Sequence, residues 1–540
     1  MIEKEPAPAS DLLSPARSSP TLPSQGRVES RRRAGIGSLA LAALSGLLLV
    51  GAFPHLDWGW LVWIGMVPLL ATFPHKRLRQ SLGMAVIFGV TFFGGLLYWL
   101  AIFAAHALGL GLGIVAWLVG TLAQTSVMVL FVLGAQALSR SGNIWAWRLG
   151  IPALWTIGEW MRQLGPLGTG WGGLAYTQHL ALPILQMTKL TGVWGLAFLI
   201  VLVNVALLEV WRRRQVTRFA WATAGLVCLA FIGGLIVLRT ERLQPTFVAA
   251  ALQSNVNPNV NSLDAPYVQR VMSTYSAQGR EAAGRGAILT VWAEAVFPGY
   301  LRWNPVLRDE IAHDAIQNNQ TILVGSNDRL PGQTADSNAL FVMTPDGQFG
   351  RAYDKRQLVP WGEFVPFRRQ MPFLEKLHLD VLDRQRGDAQ QPLLTAGSPI
   401  GPIGSVICYE SSYPRLTQEQ VARGAGLLVI VTDDTWYEKT AAPRQHAAFA
   451  AVRAVETDRY LVRSAATGIS QVIDPNGRIL AEAGLFRQAV VAAPVQARTT
   501  RTPYVRWGDW FVGVCGFLLL GLLALSVRDH RRKTAHSSGR

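Results

Sequence analysis

Three residues in the polar half of this 540-residue chain sit beside the ends of apolar runs or tight turns, and each is of a type that moves protons or electron pairs. Cys408 ends the run Ile403-Gly404-Ser405-Val406-Ile407 and is followed by Tyr409 and Glu410. Glu294 ends Thr290-Val291-Trp292-Ala293, and Lys355 stands shortly before the turn Pro360-Trp361-Gly362-Glu363. A strand that stops in a sharp turn can present a thiol at the edge of a sheet. A thiol nucleophile needs a base to take its proton and a donor to hold the oxyanion formed on attack. A carboxylate and an ammonium in the order Glu…Lys…Cys offer both. Each has a plainer reading alone, because free cysteine is commonly core and charged strand ends are commonly solvated. Taken jointly, in this order and with these flanks, they are a much more specific signal than any one of them alone.

The elements that must position these residues are short. Thr246–Leu252, Ala287–Trp292, Thr321–Val324, Ala339–Thr344, Ile403–Ile407 and Leu427–Val431 read as strands, and Ala441–Thr457 as a helix with one buried and one wet face. Strands alternating with helical stretches give an α/β domain, with bounds 241–506. It holds no glycine-rich phosphate loop and no His/Cys cluster at metal spacing, so neither a metal nor another cofactor is expected. Cys408 is its only cysteine; Cys228 and Cys515 lie in apolar runs, and three cysteines make no disulfide framework.

Outside this domain the chain is strongly apolar. Seven candidate spans precede it, near 35–53, 58–73, 82–103, 110–138, 144–161, 181–210 and 219–238, and an eighth lies within 507–527. The expected layout is a Pro/Ser/Arg-rich disordered tail over 1–34, a transmembrane domain over 35–240, the catalytic domain, the last helix, and a basic tail over 528–540. The net charge of +16 gives no nucleic-acid face, since residues 246–502 are nearly balanced at 25 basic against 24 acidic. The excess lies in tails and loops: Lys76, Arg77 and Arg79, Arg140, Arg212 to Arg214 with Arg218, and Arg528 to Lys533. The alternate loops near Asp57 and His106 carry no Lys or Arg. Positive-inside bias then puts both termini in the cytoplasm and the α/β domain outside the membrane.

Further pieces narrow the reading. These are Gln253-Ser254-Asn255-Val256, Trp292-Ala293-Glu294, Ser337-Asn338, Val359 to Pro366, Cys408-Tyr409-Glu410, Asp434-Thr435-Trp436-Tyr437, Pro443-Arg444-Gln445-His446 and Thr502 to Asp509. On these motifs the chain resembles the nitrilase (carbon-nitrogen hydrolase) superfamily. Within it, the chain is similar to the membrane-embedded apolipoprotein N-acyltransferase family over residues 35–527. The resemblance implies about eight transmembrane helices carrying an extracytoplasmic α-β-β-α sandwich in the bacterial inner membrane, with the catalytic domain on the periplasmic side. It implies Glu294 as general base, Lys355 as oxyanion stabiliser and Cys408 as nucleophile, supported by Glu363, Glu410, Tyr409 and Asn338. Glu363 would orient the lysine or the leaving group, Glu410 the incoming group, and the Tyr409 N–H would be a second oxyanion donor.

The implied reaction moves a fatty acyl chain from a phospholipid, typically phosphatidylethanolamine, through a Cys408 thioester to the α-amino group of a diacylglyceryl-cysteine on an apolipoprotein. The chain departs from the family pattern at Ala293, at Asp433 to Glu438 and after Asn257, which touches substrate contacts and leaves the triad whole. The competing reading is a membrane-tethered amidase acting on a small amide. Substrate contacts are expected at Trp436 and in an interfacial arm carrying Met371, Phe373 and Leu374 among basic residues. Glu159 is expected as a local ion pair or interfacial anchor, and Trp171, Tyr176 and Gln178 as a possible lining of the lipid entrance.

Overall fold

A computed structural model of the chain describes residues 25–73, 77–257, 265–333, 335–368, 370 and 383–537. In chain order the strands are β1 (Phe247–Gln253), β2 (Ala287–Val291), β3 (Phe297–Tyr300), β4 (Thr321–Asp328), β5 (Ser337–Met343), β6 (Phe349–Asp354), β7 (Leu394–Thr395), β8 (Pro402–Ile407), β9 (Leu427–Thr432), β10 (Leu461–Ala465), β11 (Ser470–Ile473), β12 (Ile479–Ala483) and β13 (Ala489–Val495). One sheet runs β13-β1-β2-β4-β5-β6 with β3 beside β4, and the other β12-β11-β10-β9-β8-β7. Each has a parallel centre, β1-β2-β4 and β8-β9-β10, flanked by antiparallel strands. Parallel strands covered on both faces read as continuous apolar runs, and β9, Leu427–Thr432, is buried throughout.

The sheets pack face to face, and the Ser464 hydroxyl of β10 donates to the Leu252 carbonyl of β1 at 3.1 Å. Helices Ala265–Gly284 and Pro305–Asn318 lie over the first sheet, and Pro414–Ala422 and Ala442–Thr457 over the second. This is the α-β-β-α layering the motifs imply. All six expected strands are present. Those not read from sequence are short, carry polar residues as in Arg463 and Ser464 of β10, or, like β13, hold a proline, Pro494, within the run. The helix Ala442–Thr457 differs from expectation. Apart from Arg444 it is buried on every side, because the apolar part covers the face that would have been wet.

The apolar part is less regular than its runs suggest. Among the described residues, Gly109–Arg140, Val193–Arg213 and Arg218–Thr240 are long and apolar enough to cross a bilayer by themselves. Leu78–Gly94 and Trp99–His106 form a pair bent by 60°, while Ile36–Ala52, Gly59–Ala71 and Trp510–Ser526 are shorter apolar helical segments. The run 144–161 divides into Ile144–Arg148 and Gly150–Met161, and 181–210 begins as two single turns before Val193–Arg213. Gly192 sits between turn and helix at φ +62°, a conformation other residues avoid. Helix Gln25–Ala52 starts inside the segment expected to be a disordered tail, and Trp510–Ser537 continues past the expected end of the last span. Residues 1–24 and the arm residues Met371, Phe373 and Leu374 lie outside the described residues.

The two parts are held together by specific polar contacts. Trp99 Nε1 donates to Gln445 Oε1 at 3.2 Å, and the Ala441 N–H donates to the Tyr98 hydroxyl at 3.0 Å. Lys189 reaches Asp458 at 3.2 Å. Within the apolar part, Asp509 at the start of the last helix accepts from Trp194 Nε1 at 2.7 Å and Trp160 Nε1 at 3.0 Å. Helix Ala442–Thr457 is therefore the floor of one domain and the docking face of the other.

Candidate active site

Cys408 follows β8 directly and opens a 3-10 turn, Cys408–Ser412. Its φ of +54° is left-handed, a conformation that strains a residue bearing a Cβ and that marks a strand-to-helix nucleophile turn. Glu410 holds that turn. Its carboxylate accepts from the N–H groups of Arg356 (2.6 Å), Gln357 (2.9 Å) and Ile407 (2.8 Å) and from the Tyr353 hydroxyl (3.0 Å). Fully buried and engaged by four donors, it ties the nucleophile turn to the segment after Lys355. This differs from the expected contact with an incoming group: both carboxylate oxygens are already committed to the chain itself.

Glu294 and Lys355 converge from the opposite sheet. Lys355 Nζ lies 3.1 Å from Glu294 Oε1 and 3.0 Å from Glu363 Oε1 and is 1% exposed. Asn338 Nδ2 donates to Glu294 Oε1 at 2.6 Å and Glu363 Oε1 at 3.2 Å, and the Asp433 N–H donates to Glu294 Oε2 at 2.7 Å. Glu363 Oε2 accepts from the Val359 N–H at 2.9 Å. One ammonium and one amide thus bind two carboxylates, and Glu363 orients the lysine.

Electrostatics follow from this packing. Burial pushes the Cys408 thiol well above its ordinary value, the Glu294 charge adds to that, and Lys355 pulls it back in part. Attack by a sulfur so placed would call for a base beside it. Burial alone would lower the Lys355 ammonium, but Glu294 and Glu363 outweigh it and raise it. Burial works against the Glu363 carboxylate, yet Lys355 and Arg384 hold it below the ordinary range.

Behind the thiol lies a set whose members stand in the sequence only as separate motif pieces. Asp434 accepts from Arg463 Nη2 at 2.7 Å and Thr432 Oγ1 at 2.9 Å, and sits 2.8 Å from His446 Nδ1. Burial opposes its charge, but Arg463 and His446 outweigh it and bring the Asp434 pKa from 3.8 to about 2. A depressed carboxylate stabilises the fold above its unfolded pKa and loses that contribution as pH falls through the folded one. The contribution is about 2 kcal/mol, lost between about pH 4 and pH 2. Asp434→Asn is therefore expected to melt at a lower temperature than the parent at pH 6, with the gap narrowing by pH 2.5.

The apolar part closes the remaining side. Trp171 is stacked on Tyr409 with ring centroids 5.7 Å apart, and the Tyr409 hydroxyl donates to the Gly168 carbonyl at 2.6 Å, as does that of Tyr413. Gly170 is required there, since an added Cβ would lie 2.0 Å from the Ser412 carbonyl oxygen. Of the expected lining residues only Trp171 reaches the thiol side. Tyr176 accepts from Arg453 Nη2 at 2.9 Å, and Gln178 bonds Trp63 and the Gly59 carbonyl. Glu159 anchors this loop by accepting from the Leu174 N–H at 2.9 Å and Trp155 Nε1 at 2.7 Å. Trp436 is half-buried, 6.2 Å from the Phe103 ring and 6.0 Å from His106, both on the Trp99–His106 arm.

Comparison with known proteins follows this division. Residues 45–206 match the family described as apolipoprotein N-acyltransferase N-terminal domain, and residues 248–504 match carbon-nitrogen hydrolase. Apolipoprotein N-acyltransferase of Geobacter metallireducens is 32% identical over 92% of this chain and 96% of its own. The protein of that name from Gloeobacter violaceus is 31% identical over the same shares. Among solved structures, an amidase from Nesterenkonia sp. is 17% identical, covering 48% of this chain and 94% of its own at a TM-score of 0.37.

Proposed function

We infer the reaction from one premise: the chain belongs to the apolipoprotein N-acyltransferase family. Its activity is N-acylation of lipoproteins, with an acyl group carried on Cys408 between a phospholipid donor and an amine acceptor. The observation that carries the residue assignment is the pairing of Lys355 with Glu294 at 3.1 Å against a buried thiol on a strained turn.

Glu294 takes the Cys408 proton as the sulfur attacks the ester carbonyl of a phospholipid such as phosphatidylethanolamine. The oxyanion is held by the Lys355 ammonium and the Tyr409 N–H, which lies in the first turn of a 3-10 helix where N–H groups lack an intrahelical acceptor. The intermediate collapses, Glu294 returns the proton to the departing glycerol oxygen, and lysophospholipid leaves a thioester. The α-amino group of a diacylglyceryl-cysteine then attacks. Glu294 takes its proton, the amide forms, and the expelled thiolate is reprotonated. Amines displace thiolate readily, so the sequence runs without ATP. Trp171 stacked on Tyr409, next to the thiol in the chain, gives an apolar surface that suits lipid-borne substrates better than the small amide of the alternative reading.

The test is mass spectrometry of the purified protein after exposure to phospholipid vesicles. An acyl mass on the Cys408 peptide, removed by a synthetic diacylglyceryl-cysteine peptide, is expected. No acyl mass, or its removal by water at the same rate, would overturn the reading.

The catalytic domain faces the periplasm and both termini the cytoplasm, with about eight spans counting broken ones. The support is that basic loops gather away from the docking face: Arg212 Nη2 donates to the Ala71 carbonyl at 3.0 Å, and Arg148 pairs with Glu209 at 2.6 Å. A C-terminal tag should resist protease added outside spheroplasts, and its rapid cleavage would reverse the orientation.

A further inference from the structure

His446 has no role in the reaction as derived, yet it is fully buried directly behind the nucleophile. Its ring lies among Trp171, Tyr437 and Phe449, with centroids 5.5, 6.2 and 6.2 Å away. Nδ1 is 2.8 Å from Asp434 Oδ1. Nε2 is 3.0 Å from the main-chain carbonyl oxygen of Cys408 and 2.9 Å from Ser411 Oγ. A carboxylate and a carbonyl oxygen only accept hydrogen bonds. Donation from both nitrogens, Nδ1–H to Asp434 and Nε2–H to Cys408, satisfies both acceptors and makes the ring an imidazolium paired with the Asp434 carboxylate, with the Ser411 hydroxyl turning its lone pair to the Nε2 hydrogen.

We propose that His446 is a positioning residue for acyl transfer: it holds and polarises the Cys408–Tyr409 peptide, whose N–H is the second oxyanion donor. The proposal rests on the thioester reading above. Its logic lies in the planarity of the peptide. The Cys408 carbonyl and the Tyr409 N–H are opposite ends of one conjugated unit and point in opposite directions. A donor on the oxygen withdraws density from the nitrogen and strengthens the N–H as a donor, as in any hydrogen-bonded chain of amides. The same bond holds the Cys408–Tyr409 peptide plane against rotation about ψ of Cys408, so the N–H keeps its direction beside a residue strained at φ +54°. Asp434, fixed by Arg463 and Thr432, keeps the ring from turning. Oxyanion stabilisation at this site thus has a third layer, running Arg463–Asp434–His446–peptide, drawn from β10, the Asp434–Tyr437 turn and the Ala442–Thr457 helix.

The test uses the full chain in vesicles of phospholipid carrying a 13C-labelled acyl carbonyl. It reads two quantities: the rate of thioester formation and the infrared position of the thioester carbonyl, which falls as oxyanion donors strengthen. His446→Phe keeps an aromatic ring and removes the donor. His446→Gln places an amide N–H near the position of Nε2. For His446→Phe the expected result is a rate lower by about tenfold or more, a fraction of the ~10²–10³ lost when an oxyanion donor is deleted outright. The carbonyl band should move to higher wavenumber, with KM for phospholipid unchanged. His446→Gln should recover most of both, and Ser411→Ala should leave both in place. Parent rate and band position in His446→Phe would overturn the proposal. So would a loss in His446→Gln as deep as in His446→Phe with an unshifted band, which is the signature of a packing role. A band shift in Ser411→Ala as large as that of His446→Phe would assign the donor to the hydroxyl and overturn it too. If His446→Phe does not fold, His446→Gln and Ser411→Ala decide on the same two readouts. Absence of any thioester band in the parent would instead bring down the reading of the reaction, and this proposal with it.

Discussion

Serine in place of Cys408 is expected to cut lipoprotein acylation by at least about 10⁴-fold while leaving the melting temperature within a few degrees. The two parts of the expectation have separate causes. Chemically, a hydroxyl is far harder to ionise than a thiol, and the Glu294 carboxylate that suffices for sulfur is a poor base for it. Any acyl group that does transfer would sit in an oxyester, which amines displace slowly, so the variant should trap a small acylated fraction that a lipopeptide amine does not clear. Structurally, the exchange changes little. The turn is held by the four donors to Glu410 and by the hydroxyls of Tyr409 and Tyr413 on Gly168, none of which involves the sulfur. The measurement is lipopeptide acylation alongside mass spectrometry of the Cys408-containing peptide. Turnover within tenfold of the parent would remove Cys408 from the mechanism.

Lys355→Met is expected to cost both stability and activity, and the two losses can be separated. The lysine is 1% exposed and touches Glu294 and Glu363 at 3.1 and 3.0 Å. Without it two carboxylates share the Asn338 amide in a buried site, and removing one partner of a buried ion pair costs about 3–5 kcal/mol. Like charges that close do not both stay ionised, so a proton is taken up, and the base is lost for part of the population. The oxyanion also loses its cation, a further ~10²–10³ in rate. Adding Glu363→Gln should restore most of the stability, since one buried charge is gone. It should restore little of the acylation rate, since the ammonium is still missing. Recovery of rate together with stability in the double variant would mean that Lys355 serves the fold and not the oxyanion.

The chain yields its fold unevenly to reading. β1, β2, β4, β5, β8 and β9 are legible because strands buried on both faces have nowhere to put polar side chains. Edge strand β12 and the Arg-bearing β10 are not, because an edge tolerates water and Arg463 spends its charge on Asp434. In the membrane part, hydropathy marks where the apolar runs lie, but a run of suitable length breaks at Gly192 or between Arg148 and Gly150 once packing satisfies the freed backbone. The site divides the same way. Cys408, Glu294 and Lys355 stand out because each puts a reactive group at the end of an apolar run or beside a turn, and local pattern is enough to see that.

What the sequence by itself determined is therefore which reactive side chains stand at strand ends and turns, a thiol, a carboxylate and an ammonium, and their attachment to a strongly apolar half. Tertiary structure alone decided which polar groups gather on the side of that thiol and which bond to the backbone around it. Glu410, adjacent to the nucleophile in sequence, turns inward to four donors and builds the turn. His446, thirty-eight residues away, meets the Cys408 carbonyl. Adjacency along a chain sets no direction for a side chain at a turn, whereas a carbonyl buried under a helix must find a donor from whatever element the fold lays over it.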